Sequence, residues 1–493
     1  MNATMPGTAT PPSSQSCTET VDSVESGKDA TRKLAAYAAN LDYEALPPRL
    51  IELIKQCVLD ILGVALAASS LAPEARIVVD YVKDIGGKPE SSIWGFGGRA
   101  PAATAVLING SLGHMLDYDD VANNGSGHVG VATIPVAFAL AEKLGGMSGR
   151  DLITAIAAGS DVMVRLAESI DLADWPLTEG WFATQLFGCI SGAATAGRLF
   201  RLDIDQMENA FGIGFNQMSG SRQMAVGAAA HVRGMQGGFG GQSATLAAEL
   251  ARRGLSGTKQ AIEGRYGLFN TYVRTRTPKW DMLLDEFGTR FRFLDAHTFK
   301  VWPACNRNRA TLAATLHLRQ AHKIQPEDVE SITVIGGTAG TQLLCEPLEL
   351  KRRPQTSIAG KYSIPFTAAV MMIKGEVSIR AYTDEGLRDP AVLAMADRIR
   401  YDPTGQSTQR VSPPTVEIRL KDGRVLSHQA QGAPGDARNP LDRASRIAKF
   451  RDCVSFSANP VTAGNINRVI DQVENLENLA DATEIIRLLA PHE

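Results

Sequence analysis

From Pro47 to about residue 270, apolar positions recur at helical spacing. Leu50, Ile51, Ile54, Cys57, Val58, Ile61, Leu62 and Ala65 fall on one helical face, and Pro47-Pro48 stand where such a helix can begin. The mostly apolar stretch from Ala103 to Leu112 predicts a buried helix, and Val131 to Ala141 is a second apolar run with Pro135 inside it. Ser148-Gly149-Arg150-Asp151 has the form of a capping box, with Asp where Glu or Gln is usual, opening a helix to about Ser169. On that helix Asp161 and Arg165 stand four apart and are placed to pair. Ala- and Gly-rich segments at 190–198 and 237–250 predict helices whose small residues let backbones come close.

The pattern changes near residue 275. Val329 to Ile335 is β-branched and ends in Gly336-Gly337, as a strand would. Val416, Ile418 and Leu420 alternate with Glu417, Arg419 and Lys421 before Asp422-Gly423, a hairpin signal. Helical spacing returns from about Pro440, with Ile485, Ile486, Leu488 and Leu489 in its last stretch. The expected fold is mainly α, a large all-helical domain with a smaller α+β lid domain. The expected boundaries are a disordered tail at 1–28, a helical domain of 29–275 and 434–493, and a lid at 276–433.

Composition narrows the class. Hydrophobic residues make up 44% of the 493 and charged residues 21%, as in soluble globular proteins. A net charge of −3 argues against a nucleic-acid surface or an anionic membrane as partner. No apolar run is long enough to span a bilayer. The six cysteines are scattered without a C-x-x-C pair, and residues 1–28 have neither a secretory apolar core nor an arginine. A reduced, cytoplasmic protein is the expectation.

Candidate chemistry lies in Gly113-His114-Met115-Leu116-Asp117-Tyr118-Asp119-Asp120, followed by Gly127-His128. Three carboxylates that fall within four residues, directly after a buried helix, are costly unless paired, hydrogen-bonded or used. Asp117, Asp119 and Asp120 can be a base with two supporting acids, or a helix C-terminal cluster paired with backbone and arginine. Cys305 has no visible activating partner and reads as a buried thiol. Gly212-Ile213-Gly214 lacks the third glycine and the preceding strand of a dinucleotide loop.

Several of these segments, in this order and spacing, resemble the MmgE/PrpD family. They are Cys57-Val58-Leu59-Asp60-Ile61-Leu62-Gly63, the Asn109-Gly110 to Asp120 run, Gly180-Trp181, and Lys361-Tyr362-Ser363-Ile364-Pro365-Phe366. The resemblance spans about residues 30 to 490. It implies a helical domain with an α+β lid, usually a homodimer, and an active site in the cleft between them. It also implies 2-methylcitrate dehydratase, cis-aconitate decarboxylase or iminodisuccinate epimerase chemistry without a metal or organic cofactor.

By that resemblance the family's active-site aspartate matches Asp117 and its histidine His128, with one extra residue in the loop between. Three customary positions differ: Phe182 replaces a histidine, Arg233 a lysine, and Arg309 the lid histidine. An arginine clamps a carboxylate but does not exchange protons readily, so proton transfer falls to Asp117, His128 or Tyr362. Arg233, Arg309, Lys300, Phe182 and His231 make up the candidate substrate-binding set, each against an ordinary structural role.

The expected function is a hydro-lyase on a 2-methylcitrate-like or alkylcitrate-like polycarboxylate. The alternatives are an epimerase or isomerase, a decarboxylase, or a non-catalytic binding protein. A metal-dependent isoprenoid enzyme is a further class, against which stand the absence of a second metal motif and an aromatic content of only 6%.

Overall fold

The computed structural model describes residues 27–122, 127–170, 180–225, 230–273, 278–407, 412–430, 432–436 and 439–490. The expected tail lies almost wholly outside them. Helices dominate the chain, and the buried apolar side chains separate into two cores.

The first core is organised on the helix Pro48–Leu71, with a proline in its first turn. Lys55 and Asp60 interrupt its apolar face, and both find partners from the far end of the chain. Lys55 Nζ donates to the Glu474 carbonyl at 2.8 Å and lies 3.2 Å from the Glu477 carboxylate. Lys449 Nζ lies 2.6 Å from Asp60 Oδ1. With Phe450, Val469, Ile470 and Ile485 in the same core, these pairs hold the helices Arg443–Val454, Ala463–Glu474 and Glu484–Leu489 to the N-terminal body.

The rest of this core is built from the helices Ala102–Met115, Gly130–Lys143, Gly149–Glu168, Ala183–Leu199 and Gln236–Arg252. A Cβ at Gly110 would lie 2.9 Å from the Gly238 Cα, so two of these helices touch backbone to backbone. The Ser148 cap forms: its hydroxyl accepts the Asp151 N–H at 3.1 Å and donates to the Asp151 carboxylate at 2.7 Å.

The second core runs from Trp302 to Ala430. Leu283, Phe291, Phe293 and Phe299 pack into the first core, although they follow the compositional change near 275 and lie in or beside short, irregular elements. The lid sheet has four strands in the order Ile399–Asp402, Val329–Ile335, Thr415–Leu420, Val425–His428. The first pair is parallel and the others antiparallel, with Ile332 opposite Ile418 and Val334 opposite Val416. Those four side chains are buried, and the helices Arg309–Ala321 and Ile364–Lys374 supply the rest of the lid core.

A two-residue antiparallel pairing joins the halves where it matters for chemistry. Val121 pairs with Thr298 and Ala122 with His297, which fastens the acidic loop to the segment entering the lid. Among the described residues, no helix is long and apolar enough to cross a membrane.

Candidate active site

The helix Ala102–Met115 ends at Leu116, and Asp117 follows with φ 51°, a left-handed conformation that Asp tolerates better than most residues. Its N–H donates to the His114 carbonyl at 2.9 Å. The C-terminal end of a helix carries partial negative charge and is a poor place for a carboxylate. Lys300 offsets this: its buried Nζ donates to the Asp117 carbonyl at 2.8 Å and lies 2.5 Å from Oδ1. Arg233 Nη2 stands 3.7 Å and His128 Nε2 3.8 Å from the same oxygen. The other carboxylate oxygen, Oδ2, is buried and has no hydrogen-bond partner among the described residues.

Behind Asp117 lies a pair of imidazoles. His114 Nδ1 is 3.1 Å from both oxygens of Asp119, while its Nε2 meets Arg233 Nη1. Since a guanidinium only donates, Nε2 must accept, so His114 is neutral with its proton on Nδ1 facing Asp119. His128 Nδ1 lies 2.8 Å from Asp119 Oδ2, and the two rings stand 4.1 Å apart at 64°. Gly127 makes this placement possible. At φ 84° it passes so close to Thr184 that a Cβ would lie 2.5 Å from Oγ1, and the His128 N–H donates to that oxygen at 3.0 Å.

Arg233 closes the group from the other side. Its Nη2 donates to the Tyr362 hydroxyl, and its guanidinium lies over the rings of Phe182 at 4.9 Å and Tyr362 at 5.3 Å. The electrostatics follow from this packing. Burial would raise the Asp117 carboxyl, but Lys300 and Arg233, with help from both histidines, hold it far below the ordinary carboxylate range. Asp119 is likewise held low by His128 and His114 against the effect of burial. Burial, with His128 and Arg233 nearby, pushes His114 down to about 4. The Tyr362 hydroxyl is raised well above its ordinary value by burial, which outweighs Arg233.

Of the residues singled out from sequence, Asp117, His128, Lys300, Arg233, Tyr362 and Phe182 therefore stand together, although they come from both cores. Arg309 does not join them. Its Nη1 lies 2.8 Å from Asp436 Oδ1 and donates to Asn306 Oδ1 at 3.1 Å, while Nη2 donates to the Pro434 carbonyl at 2.8 Å. Those bonds tie the start of a lid helix to the chain near 434. His231 is exposed, at the start of the short turn His231–Met235.

The three carboxylates of the acidic run do not form one group either. Asp120 turns away: its Oδ2 accepts the Gly130 N–H at 3.3 Å and lies 3.4 Å from His297 Nε2, which is itself 3.3 Å from Cys57 Sγ. Two buried members were missed from sequence, His114 and Lys361. His114 was visible as a histidine five residues before Asp119, but that is not a helical spacing. Only the left-handed turn at Asp117 brings the two side chains together.

Donor atoms of His114, Asp117, Asp119 and His128 lie within 4.8 Å of one another, as do those of Cys57, Asp120 and His297. In the first group Lys300 and Arg233 already bring two cations to Asp117, and a divalent ion would be repelled by both. In the second, burial and the nearby Asp120 and Asp60 carboxylates push the Cys57 thiol up, which favours the protonated form over a thiolate ligand. Two surface grooves, one beside Met147, Phe200 and Asp481 and one beside Lys33, Tyr37 and Trp280, contain none of the site residues. Chemistry rather than concavity marks this site.

Comparison with known proteins covers most of the chain with two family models. The MmgE/PrpD N-terminal domain matches residues 32–281, and the MmgE/PrpD C-terminal domain matches residues 302–475. The chain is similar to the cis-aconitate decarboxylase of Homo sapiens, 24% identical over 479 residues covering 94% of this chain and 96% of the relative. It is similar to that of Aspergillus terreus (strain NIH 2624 / FGSC A1156), also 24% identical, over 93% of this chain and 95% of the relative. A cis-aconitate decarboxylase-like protein of Aspergillus oryzae is 22% identical over 95% of this chain and 98% of its own length.

Proposed function

The chain belongs to the MmgE/PrpD family, and from that premise we propose that it is a lyase that decarboxylates a small unsaturated tricarboxylate of the cis-aconitate type. The observation that carries this is the state of Asp117. Although burial acts to raise its carboxyl, Lys300 and Arg233 hold it far below the ordinary range. A carboxylate that acidic is a poor proton acceptor. Dehydration of a methylcitrate-like acid, the outcome expected from sequence, begins by removing a proton beside a carboxylate, and so does epimerisation. Neither finds a matched base in Asp117.

Loss of carbon dioxide needs no base. The bond between carbon and one carboxylate breaks, its electron pair forms a new carbon–carbon double bond, and the original π pair shifts to the far alkene carbon. The resulting charge spreads toward a remaining carboxylate, and one proton is then added to carbon. Arg233 and Lys300 are fixed cations in a buried site, which favours the developing enolate-like charge. Asp117 would orient them and keep the unliganded site near neutral. The proton donors in reach are His128 and the Tyr362 hydroxyl, the latter held protonated by burial. The names of the similar proteins support the same reaction class.

The test is to incubate purified protein with cis-aconitate and with 2-methylcitrate in deuterated water, following released carbon dioxide and the product by proton NMR. Decarboxylation gives carbon dioxide and a singly deuterated product in equal amounts. Dehydration gives a conjugated product without carbon dioxide, and epimerisation gives deuterium exchange alone. Absence of carbon dioxide from any unsaturated tricarboxylate rejects the proposal.

A further inference from the structure

Among the described residues seven lysines and arginines are buried, and six of them, Lys55, Arg165, Arg233, Arg292, Lys300 and Arg309, have a carboxylate oxygen within 3.7 Å. Lys361 is the exception. It is 1% exposed, and its Nζ has neither a hydrogen bond nor an ion pair among the described residues. The Tyr382 ring centroid lies 5.5 Å from Lys361 Nζ. Tyr382 is also buried, and its hydroxyl has no hydrogen-bond partner among the described residues. A buried ammonium without an anion is costly, by several kcal/mol on typical scales. An unused buried hydroxyl adds about 1–3 kcal/mol.

The backbone holds this pair in place. The Lys361 carbonyl accepts the Cys305 N–H at 3.1 Å and the Asn308 side-chain amide at 3.1 Å. The preceding residue is Gly360, where a Cβ would lie 3.1 Å from the Tyr382 ring, so glycine lets that ring close on the short helix Ser357–Lys361. The next residue, Tyr362, is bonded to Arg233. Both Lys361 and Tyr382 lie within electrostatic reach of Asp117. Two unsatisfied polar side chains thus flank the site from the lid.

We propose that Lys361 and Tyr382 form a second carboxylate subsite on the lid side of the site, which binds a carboxylate of the substrate other than the one held by Arg233 and Lys300. The inference rests on the polycarboxylate reading above and deepens it. It requires a substrate with at least two separated carboxylates and favours one with three.

The unliganded site already shows the strain. Burial, with Lys300 and Arg233 nearby, lowers Lys361 to about 8, while Asp117 and Glu74 act against the shift. The other charges on the packed lid elements are engaged or turned to solvent. Arg380 pairs with Asp452 at 2.8 Å, Lys374 with Asp389 at 2.8 Å, and Asp384 and Glu385 are exposed. An arriving carboxylate would restore the full positive charge, so binding near pH 8 should take up about half a proton.

Calorimetry with propane-1,2,3-tricarboxylate and with butyrate, which undergo no reaction, tests the subsite apart from turnover. Wild-type protein should bind the tricarboxylate at least roughly tenfold more tightly than the monocarboxylate, and proton uptake with the tricarboxylate should appear at pH 8 in buffers of different ionisation enthalpy. In Lys361→Met that preference and the proton uptake should vanish, while the melting temperature of the unliganded variant holds or rises. Tyr382→Phe should weaken tricarboxylate binding roughly threefold without loss of stability. If Lys361→Met binds the tricarboxylate as wild type does, or melts well below it, Lys361 is structural and the subsite is overturned. Tricarboxylate binding lost in Lys361→Met, in a protein that releases no carbon dioxide, would keep the subsite and reject only the decarboxylase assignment. If wild-type protein binds neither acid, both fall.

Discussion

The buried charge clusters around Asp161 and around Asp117 differ in how completely they are satisfied. Around Asp161 every heteroatom of the acid and its arginine is used. Asp161 Oδ2 accepts Arg165 Nε at 2.6 Å and the Tyr37 hydroxyl at 2.8 Å, and Oδ1 accepts the Phe293 N–H at 3.3 Å. The remaining Arg165 nitrogens donate to the carbonyls of Leu283, Asp285 and Arg290, with Phe287 stacked 4.7 Å from the guanidinium. The cluster around Asp117 is just as buried, yet Asp117 Oδ2 and Arg233 Nε have no hydrogen-bond partner among the described residues. A closed network fixes the path of the chain, here the segment between 283 and 293. An open one holds charge in readiness for something that arrives.

If that contrast is right, the two arginines should fail in different assays. Arg165→Met should cost about 3–5 kcal/mol of stability in urea unfolding, because it strands a buried carboxylate. Its turnover per folded molecule should be unchanged. A cost under about 1 kcal/mol would erase the distinction between the clusters. Arg233→Met should do the reverse. Lys300 still neutralises Asp117, so unfolding should shift little, whereas kcat/KM for carbon dioxide release should fall roughly 10²–10³-fold, as when one preorganised donor is removed.

Acid sharpens the comparison further. His114 has an ordinary value of 6.5 and is lowered to about 4 in the folded protein, chiefly by burial. Between those values the unfolded chain binds more protons than the native state. The stability contributed by a neutral His114 is therefore complete above pH 6.5 and is lost as pH falls toward 4. Unfolding free energies across that window should slope by at most about 1.4 kcal/mol per pH unit. In His114→Gln the slope should flatten. An unchanged slope would show that His114 is not the group responsible. Asp117 and Asp119, held below the ordinary carboxylate range, lose most of their contribution below this window, whereas Asp60, raised to about 6 by burial, slopes the opposite way within it, so the readout is the difference between wild type and His114→Gln.

The helical body was legible because its signals are local. Pro47-Pro48, the Leu50 to Ala65 repeat and the Ser148 cap all act within one or two turns, and the lid hairpin announces itself through alternation and Asp422-Gly423. The place of Leu283, Phe291, Phe293 and Phe299 in the first core was not legible, since short elements bearing scattered aromatics carry no period. Within the site, spacing marked the acidic cluster with His128 beside it, and family resemblance singled out Asp117, His128 and Arg233. Sequence alone could not separate Arg233 from Arg309, as both are arginines near glycine- or proline-rich turns. Asp436 decides the matter by occupying Arg309 from a distant loop. Lys361 escaped for the opposite reason: a lysine looks solvated until the fold removes its water and supplies no anion.

The gentlest test of the comparison is at Phe182, where the family customarily has histidine. Its ring lies under the Arg233 guanidinium, a contact worth about 0.5–2 kcal/mol depending on desolvation. Removing it in Phe182→Ala leaves every charge in place, so it should loosen the aim of Arg233 rather than abolish its function. We expect KM to rise about fivefold with kcat nearly unchanged, which corresponds to about 1 kcal/mol. A large fall in kcat with KM unaltered would instead mean that Phe182 acts at the reacting carbon. The tolerant outcome has a simple physical basis, because an open network of fixed cations can lose one apolar support and still present its charge, whereas the closed network at Arg165 has no such slack.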